Sequence, residues 1–225
     1  MGRVDDKGFT LIELMVAVTL AAILFAAIGV GIHQVARGAA SLEEAGESHQ
    51  GMGDALEWMR RDLEALYVDP FPLFSPEGSI DEEDPYRFVI TQESVGGAEV
   101  SMLRFTSRNH LPFGSDPAGG IAEIVYFVTE EDEGLVLRRS DRLFFHEPFD
   151  PGQSAPIAMT RLERFEVTAT DSEGNVWSEW DSDDSGAGYA TPFSVSVLLG
   201  RNRKDRAFRM SGVVKLHIHR TGALE

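Results

Sequence analysis

The chain contains no cysteine. Disulfide bonds, thiolate nucleophiles and thiolate metal sites are therefore all excluded. The sequence also lacks a Gly-x-Ser-x-Gly nucleophile elbow, a phosphate-binding glycine loop and a His-Glu-x-x-His helix, each of which marks a common class of catalytic or phosphate-binding site. We therefore expect no enzymatic activity and no cofactor.

Positive charge is scarce. Lys and Arg number 20 against 37 Asp and Glu, which gives a formal net charge of -17. Nucleic acid and anionic lipid headgroups are bound by clustered Lys and Arg, so both kinds of partner are disfavoured. With 225 residues, the chain has room for one membrane segment and one globular domain with its own core.

Two patterns resemble the beginnings of metal sites. His217 and His219 lie two residues apart on a predicted strand and would share a face, but no third ligand is identifiable. Residues 181–186 have the oxygen ligands and the glycine that begin an EF-hand loop, whereas the twelfth position is Pro192 instead of Glu. We expect no metal site, and solvent-exposed acidic loops at 181–186 and 81–84, with calcium binding as the alternative.

One long apolar stretch contains a single charge. Glu13 is the only charged residue between Phe9 and Ile32. A carboxylate in an apolar segment long enough to span a bilayer costs roughly 2.5–3.5 kcal/mol, so it needs a partner. Cleavage between Gly8 and Phe9 would provide one, an α-amino group four residues before Glu13 or in a neighbouring subunit. A plain membrane anchor and a cleavable secretory signal are the simpler alternatives.

The basic residues Arg3 and Lys7, followed by Gly8, Phe9 and Glu13, resemble the class III signal of type IV pilins and type II secretion pseudopilins. The resemblance implies that the prepilin peptidase cleaves after Gly8 and that Phe9 is N-methylated. It also implies that Glu13 sets the register of the subunit during assembly.

Helical periodicity continues beyond the apolar stretch. Apolar residues recur at spacings of four and three, while charged residues occupy the other face; the apolar positions are Met52, Leu56, Met59, Leu63 and Leu66. This pattern predicts one long helix from Phe9 to about Tyr67, ended by Pro70 and Pro72. Its first half would be surrounded by lipid or neighbouring subunits, and the stripe of its second half would pack on the globular domain.

Beyond Pro72 the period changes to the alternation of β-strands. The predicted strands are Arg87–Gln92, Val100–Ser107, Ile121–Thr129, Leu135–Ser140, Arg161–Asp171, Asn175–Glu179, Phe193–Leu199 and Phe208–Arg220. Turn residues at 131–134 and 171–175 predict hairpins, and hence antiparallel pairing. The predicted fold class is α+β, a long N-terminal helix with a membrane-spanning first half, packed on an antiparallel β-sheet domain.

This layout also resembles that of pseudopilins, and it predicts four segments: a prepilin leader (1–8), a transmembrane and assembly helix (9–35), its amphipathic continuation (36–69) and a periplasmic β-rich domain (70–225). Local motifs resemble minor pseudopilins of the general secretion pathway J type. They lie at 59–63, 134–139, 162–167, 177–180 and 192–197.

The resemblance implies a minor pseudopilin of the type II secretion system, in the pseudopilus tip complex that primes pseudopilus assembly for export of folded proteins across the outer membrane. The implied partners are the I-type and K-type minor pseudopilins, with the H type as a further candidate, the major pseudopilin and the prepilin peptidase. The implied location is the bacterial inner membrane, crossed once, with the C-terminal domain in the periplasm. Three alternatives stay open: a type IV pilus minor pilin, a membrane-anchored periplasmic binding or sensor module, and a membrane-anchored β-rich hydrolase.

Overall fold

A computed structural model of the chain describes residues 11, 15, 19–20, 50–68, 84–111, 119–132, 134–143, 149–150, 155–183, 190–203 and 206–220. The chain divides into two compact units, Met1–Glu47 and Ser48–Glu225. In the first unit the described residues are helical and exposed, and the Thr19 hydroxyl donates a hydrogen bond to the Met15 carbonyl at 2.7 Å.

The predicted fold class is wrong for the residues that the structure describes. They form mostly antiparallel β-structure, with one short helix over residues 50–64 of the second unit, named α1. None of the described helical residues belongs to a helix long and apolar enough to cross a membrane. Most of the predicted membrane-spanning half lies outside the described residues, and the predicted segment boundaries stay a prediction.

The predicted C-terminal end of the helix is also displaced. Leu66 continues the helical spacing after Leu63 in sequence, yet Leu66–Tyr67 form a strand, β1. The backbone of Leu66–Tyr67 pairs with Thr106 and Ser107, and the Ala65 carbonyl accepts a hydrogen bond from Arg108 N at 2.9 Å. An apolar residue three positions after Leu63 is compatible with a helix and with a strand. The hydrophobic pattern alone therefore did not distinguish the two elements at Leu66.

Nine further strands are found in the described residues. They are β2 Val89–Val95, β3 Ala98–Ser107, β4 Ala122–Glu131, β5 Gly134–Arg142, β6 Ile157–Thr170, β7 Val176–Trp177, β8 Trp180–Asp181, β9 Ser194–Arg203 and β10 Arg206–Lys215. The sheet order is β10-β9-β6-β5-β4-β3-β2-β8, with β1 paired to β3 and β7 to β6. Each predicted segment overlaps a strand, whereas β1 and β8 were not predicted as strands. The two predicted hairpins are confirmed, and Gly134 and Gly174 adopt the positive φ angles of 110° and 92° that favour glycine in tight turns.

The apolar stripe of α1 packs on the sheet, as predicted. Met52, Met59 and Leu63 are almost completely buried and belong to the same hydrophobic core as Leu103 and Phe165 of the sheet. On the other face of α1, Arg60 forms ion pairs with Glu57 at 2.7 Å and Glu64 at 2.6 Å, at helical spacings that support the exposed side.

The sheet bends at β6. Leu162 of β6 pairs with Arg201 of β9, and Arg164 pairs with the adjacent Gly200, so β6 has one extra residue at this point. Nearby, Arg161 has a φ of 56°. Such bulges bend a strand and increase its twist. Strands β3 and β6 also contact each other although two strands separate them in the sheet order, and Val167 N donates to the Ser101 hydroxyl at 2.9 Å.

Candidate interaction site

The predicted N-terminal site residues Gly8, Phe9 and Glu13 lie outside the residues that the structure describes. Their roles in cleavage, methylation and assembly stay predictions.

The two histidines do not share a strand. Strand β10 ends at Lys215, so His217 and His219 lie beyond it and the strand predicted for them is wrong. The His219 ring instead stacks on Phe193, with centroids 5.5 Å apart and planes inclined by 9°. Within the described ranges no three His, Asp or Glu side chains are grouped as metal ligands.

The acidic loops are less exposed than predicted where they are described. Ser182 is fully buried; its hydroxyl accepts a hydrogen bond from Phe88 N at 2.8 Å, and its own N–H donates to the Phe88 carbonyl at 3.0 Å. Asp84 is also fully buried and forms an ion pair with buried Arg220. The prediction of solvent-exposed loops is therefore wrong at Ser182 and Asp84, because both residues fasten β8 and the C-terminal segment to β2.

Arg220 is the centre of this buried cluster. Its guanidinium also donates to the Ser182 carbonyl, and its backbone N–H donates to the Thr191 hydroxyl at 2.9 Å. Nearby, Asp183 accepts a hydrogen bond from Asp84 N at 3.3 Å. Burial, with the negative charges of Asp84 and Asp181, raises the pKa of Asp183 above its ordinary value, although Arg220 opposes the shift.

An open groove of about 1040 Å³ lies beside this cluster. Four of its lining residues are aromatic, four are acidic and one is arginine; the aromatic ones are Trp177, Trp180, Phe193 and His219, the acidic ones are Asp171, Glu173, Glu179 and Asp181, and the arginine is Arg220. Four separate parts of the chain contribute to the lining, residues 89–91, 171–181, 190–193 and 219–220. The fold therefore brings the lining residues together, and they do not form a sequence motif.

The hairpin between β6 and β7 fixes the position of Trp177. Asp171 accepts hydrogen bonds from the backbone N–H groups of Glu173 and Asn175, both at 2.9 Å, and from the Trp177 indole N–H at 3.1 Å. The hydrogen bond from the Asn175 side chain is the largest of the effects that lower the pKa of Asp171 to about 2. The indole is thus held by an ionised carboxylate, while its ring remains 50 % exposed.

Trp180 forms a second fixed wall of the groove. Its indole N–H donates to the Ala190 carbonyl at 3.0 Å, and its backbone pairs with Ile90 of β2. Between the two tryptophans, the Ser178 carbonyl accepts a hydrogen bond from the Gln92 side chain at 2.7 Å. The buried hydroxyl of Thr91, which also lines the groove, has no hydrogen-bond partner among the described residues.

Phe193 already contacts a cation. The Lys215 ammonium lies 4.5 Å from the centroid of the Phe193 ring, within the distance at which a cation and an aromatic face attract each other. The Phe193 side chain is nevertheless 40 % exposed. These walls can therefore hold cationic and apolar groups.

A separate cluster of buried charges joins α1 to the sheet. The Asp62 carboxylate is 1 % exposed and accepts hydrogen bonds from Tyr126 OH at 2.6 Å, Arg139 Nε at 2.8 Å and Asn109 Nδ2 at 2.7 Å. Arg139 also contacts Asp141 at 2.7 Å. This cluster was not predicted, although the sequence carries one signal for it: Asp62, three residues after Met59, falls on the apolar face of the helix.

The charges in this cluster depend on one another. Burial by itself lowers the pKa of Arg139, but its hydrogen bonds and its attraction to Asp62 more than compensate and raise it. Burial also raises the pKa of Tyr126, with a further contribution from the charge of Asp62. Because none of these groups lines the groove, the cluster fastens α1 to the sheet and does not contribute to the candidate site.

Comparison with known proteins gives one match at the N-terminus. Residues 3–29 match the family model described as the prokaryotic N-terminal methylation motif, a range that includes Gly8, Phe9 and Glu13. No curated protein is significantly similar to the chain. The motif indicates processing by the prepilin peptidase, N-terminal methylation, pilin-like partners and membrane anchoring. The chain thus carries the N-terminal signal of type IV pilin-like and pseudopilin proteins.

Proposed function

We propose that this protein is a minor pseudopilin of the type II secretion system, part of the pseudopilus tip complex that primes pseudopilus assembly for export of folded proteins across the outer membrane. The methylation motif over residues 3–29 is the observation that carries the proposal. The second unit supports it, because a helix packed by one apolar stripe on an antiparallel sheet suits a subunit that assembles through its N-terminal region.

In this proposal the prepilin peptidase cleaves after Gly8 and the new N-terminus at Phe9 is methylated. Glu13 then pairs with that amino group, in its own chain or in a neighbouring subunit, which offsets the cost of placing a carboxylate in an apolar environment. The protein is anchored in the bacterial inner membrane with its C-terminal domain in the periplasm. Its partners are I-type and K-type minor pseudopilins, a further H-type candidate and the major pseudopilin.

We assign the protein no catalytic role and no nucleic-acid partner. A net charge of -17 opposes binding to nucleic acid. In the groove, the Asp171 carboxylate and both indole N–H groups are occupied by hydrogen bonds within the chain, so they serve to hold the walls in place.

A type IV pilus minor pilin is the second candidate, because it carries the same N-terminal signal. Affinity purification from the native host separates the two: secretion-system subunits support the first proposal, and pilus subunits without them support the second. A membrane-anchored binding or sensor module is the third candidate, and it gives no role to Glu13.

The decisive test is the intact mass and N-terminal sequence of the protein extracted from membranes of its native host, together with a Glu13→Ala variant. We expect a mature chain that begins at N-methylated Phe9. The Glu13→Ala chain should reach the membrane but fail in assembly and secretion. The control is Thr19→Ala, which replaces a polar but uncharged residue of the same apolar stretch and should function normally. A chain that retains Met1, or full secretion by Glu13→Ala, would count against the proposal.

A further inference from the structure

We infer that the groove between Trp177 and Phe193 binds an extended, basic segment of a partner polypeptide, with Lys or Arg side chains placed against the aromatic walls. This inference deepens the proposed function, on which the choice of a polypeptide partner rests. It gives the assembling subunit a contact surface in its β-sheet domain that the N-terminal motif does not supply.

The aromatic walls are fixed and exposed. Trp177 is 50 % exposed and Phe193 is 40 % exposed, although such rings are usually covered in a folded domain. The Trp177 indole Nε1 lies 3.1 Å from Asp171 Oδ2 and donates a hydrogen bond to it. The ring is therefore already ordered and loses little conformational freedom when a partner binds. A rigid exposed aromatic side chain of this kind is typical of residues that contribute strongly to binding at protein interfaces.

The charge of the groove selects a cation. Of its four acidic residues, Asp171 accepts hydrogen bonds within its own hairpin and Asp181 forms an ion pair with Arg87 at 3.5 Å. The exposed Glu173 and Glu179 remain for a partner, while Arg220 is engaged by buried Asp84. Phe193 already contacts Lys215, whose ammonium lies 4.5 Å from the ring centroid, and stacks with His219, so Trp177 is the more accessible ring for a cation of a partner. An arginine of the partner could stack on Trp177 while it contacts Glu173 or Glu179, and both interactions favour a positive side chain.

The size and charge of the groove favour a polypeptide over a neutral sugar. A volume of about 1040 Å³ is at the upper end of the range for small-molecule pockets, about 300–1,000 Å³, and can hold several side chains. An oligosaccharide would also stack on the aromatic faces and would donate its hydroxyl groups to the carboxylates, but as a neutral ligand it would gain no charge attraction from them. Both a basic peptide and an oligosaccharide can contact the rings, and charge attraction favours the peptide.

The direct test is binding of a capped heptapeptide that alternates alanine and arginine to the full chain in detergent, with the glutamate version of the peptide as the control. We expect saturable binding of the arginine peptide alone. Trp177→Ala should weaken it about two- to fivefold, and a Glu173→Gln, Glu179→Gln double variant about fivefold. The matched controls are Trp58→Ala on α1 and Glu163→Gln at the β6 bulge, neither of which lines the groove; both should stay within about twofold of wild type.

Three results would overturn the inference: equal binding of the glutamate peptide, an unchanged affinity in the groove variants, or tighter binding of chitohexaose than of the arginine peptide. The last result would make the groove a carbohydrate site.

A second measurement uses the absence of cysteine. The Glu179→Cys variant has a single thiol, and a short thiol–amine cross-linker in the native host should join it to a lysine of a second protein that carries its own N-terminal methylation motif. Glu163→Cys is the control and should give no such product. A chain processed to Phe9 with no cross-link from Glu179→Cys overturns the inference and leaves the proposed function standing. An unprocessed chain that binds the arginine peptide supports the chemistry of the groove and overturns the proposed function.

Discussion

At the scale of the residue, Asp62 and Asp183 illustrate two opposite situations of a partly or fully buried acid. Asp62 is surrounded by donors, one of which is the arginine Arg139. Asp183 lies among other acids, and its pKa is raised by burial and by the charges of Asp84 and Asp181. The first acid holds two elements together, whereas the second opposes folding when it is ionised.

Removal of Asp62 should strongly destabilise the domain. Asp62→Ala leaves Arg139 as a buried charge without its main partner, and breaking a buried ion pair typically costs about 3–5 kcal/mol. Asp54→Ala removes an exposed acid of the same helix and should change the free energy of unfolding by less than about 0.5 kcal/mol. Chemical unfolding of the full chain, followed by tryptophan fluorescence, measures both. A similar loss in the two variants would contradict the role given to Asp62.

Asp183→Asn should stabilise the protein at neutral pH. A raised pKa means that the folded state binds the proton more tightly than the unfolded state, so the ionised carboxylate lowers stability at pH 7. This penalty decreases as the pH falls through the raised pKa and disappears below the ordinary value. Thermal unfolding at pH 7 and pH 4 should therefore show a higher melting temperature for Asp183→Asn at pH 7 and a smaller difference at pH 4. Asp132→Asn, at an exposed turn, is the control; an equal gain there would reject this explanation.

At the scale of the element, the strands were predictable and the bulge was not. Alternating residues such as Val195 and Val197 mark a half-buried strand in any sequence, and the glycine of the 131–134 turn marks where the chain reverses. The bulge between Leu162 and Arg164 leaves no such pattern, because the extra residue of a bulge need not be of any specific type. The C-terminal end of the helix was predicted too late, because Leu66 fits a helical period as well as a strand.

Two glycines of the β9–β10 hairpin should differ in their tolerance of alanine. A Cβ atom at Gly200 would lie 3.0 Å from the Cβ of Arg164, beside the bulge, whereas at Gly212 the nearest atom would be Leu56 Cδ2 at 3.8 Å. Gly200→Ala should lower the free energy of unfolding by about 1–3 kcal/mol, the usual cost of overpacking. Gly212→Ala should be neutral or slightly stabilising, because alanine orders more easily in a strand. Urea unfolding measures the free energy of unfolding of both variants. Equal effects would show that the short distance between position 200 and Arg164 does not affect stability.

At the scale of the whole molecule, the sequence was informative about the N-terminus and uninformative about the groove. The leader, Gly8, Phe9 and Glu13 are consecutive or nearly so, and a motif of this kind can be matched without a fold. The groove is assembled from residues as distant as Ile90 and His219. Only the fold brings them together, since β7 pairs with β6 whereas β8, a few residues further along the chain, pairs with β2.

The pair formed by Asp84 and Arg220 has a consequence for how the domain is made. The two residues are separated by 136 positions, and Arg220 also anchors the segment at Thr191. A chain synthesised from its N-terminus cannot complete this cluster until all ten described strands, β1 to β10, have emerged. Contacts of such long range are formed slowly, because the entropy of closing a large loop is lost before the contact is gained. We therefore expect the β2–β8 edge to close late in folding, and the partner-binding groove beside it to exist only on finished subunits.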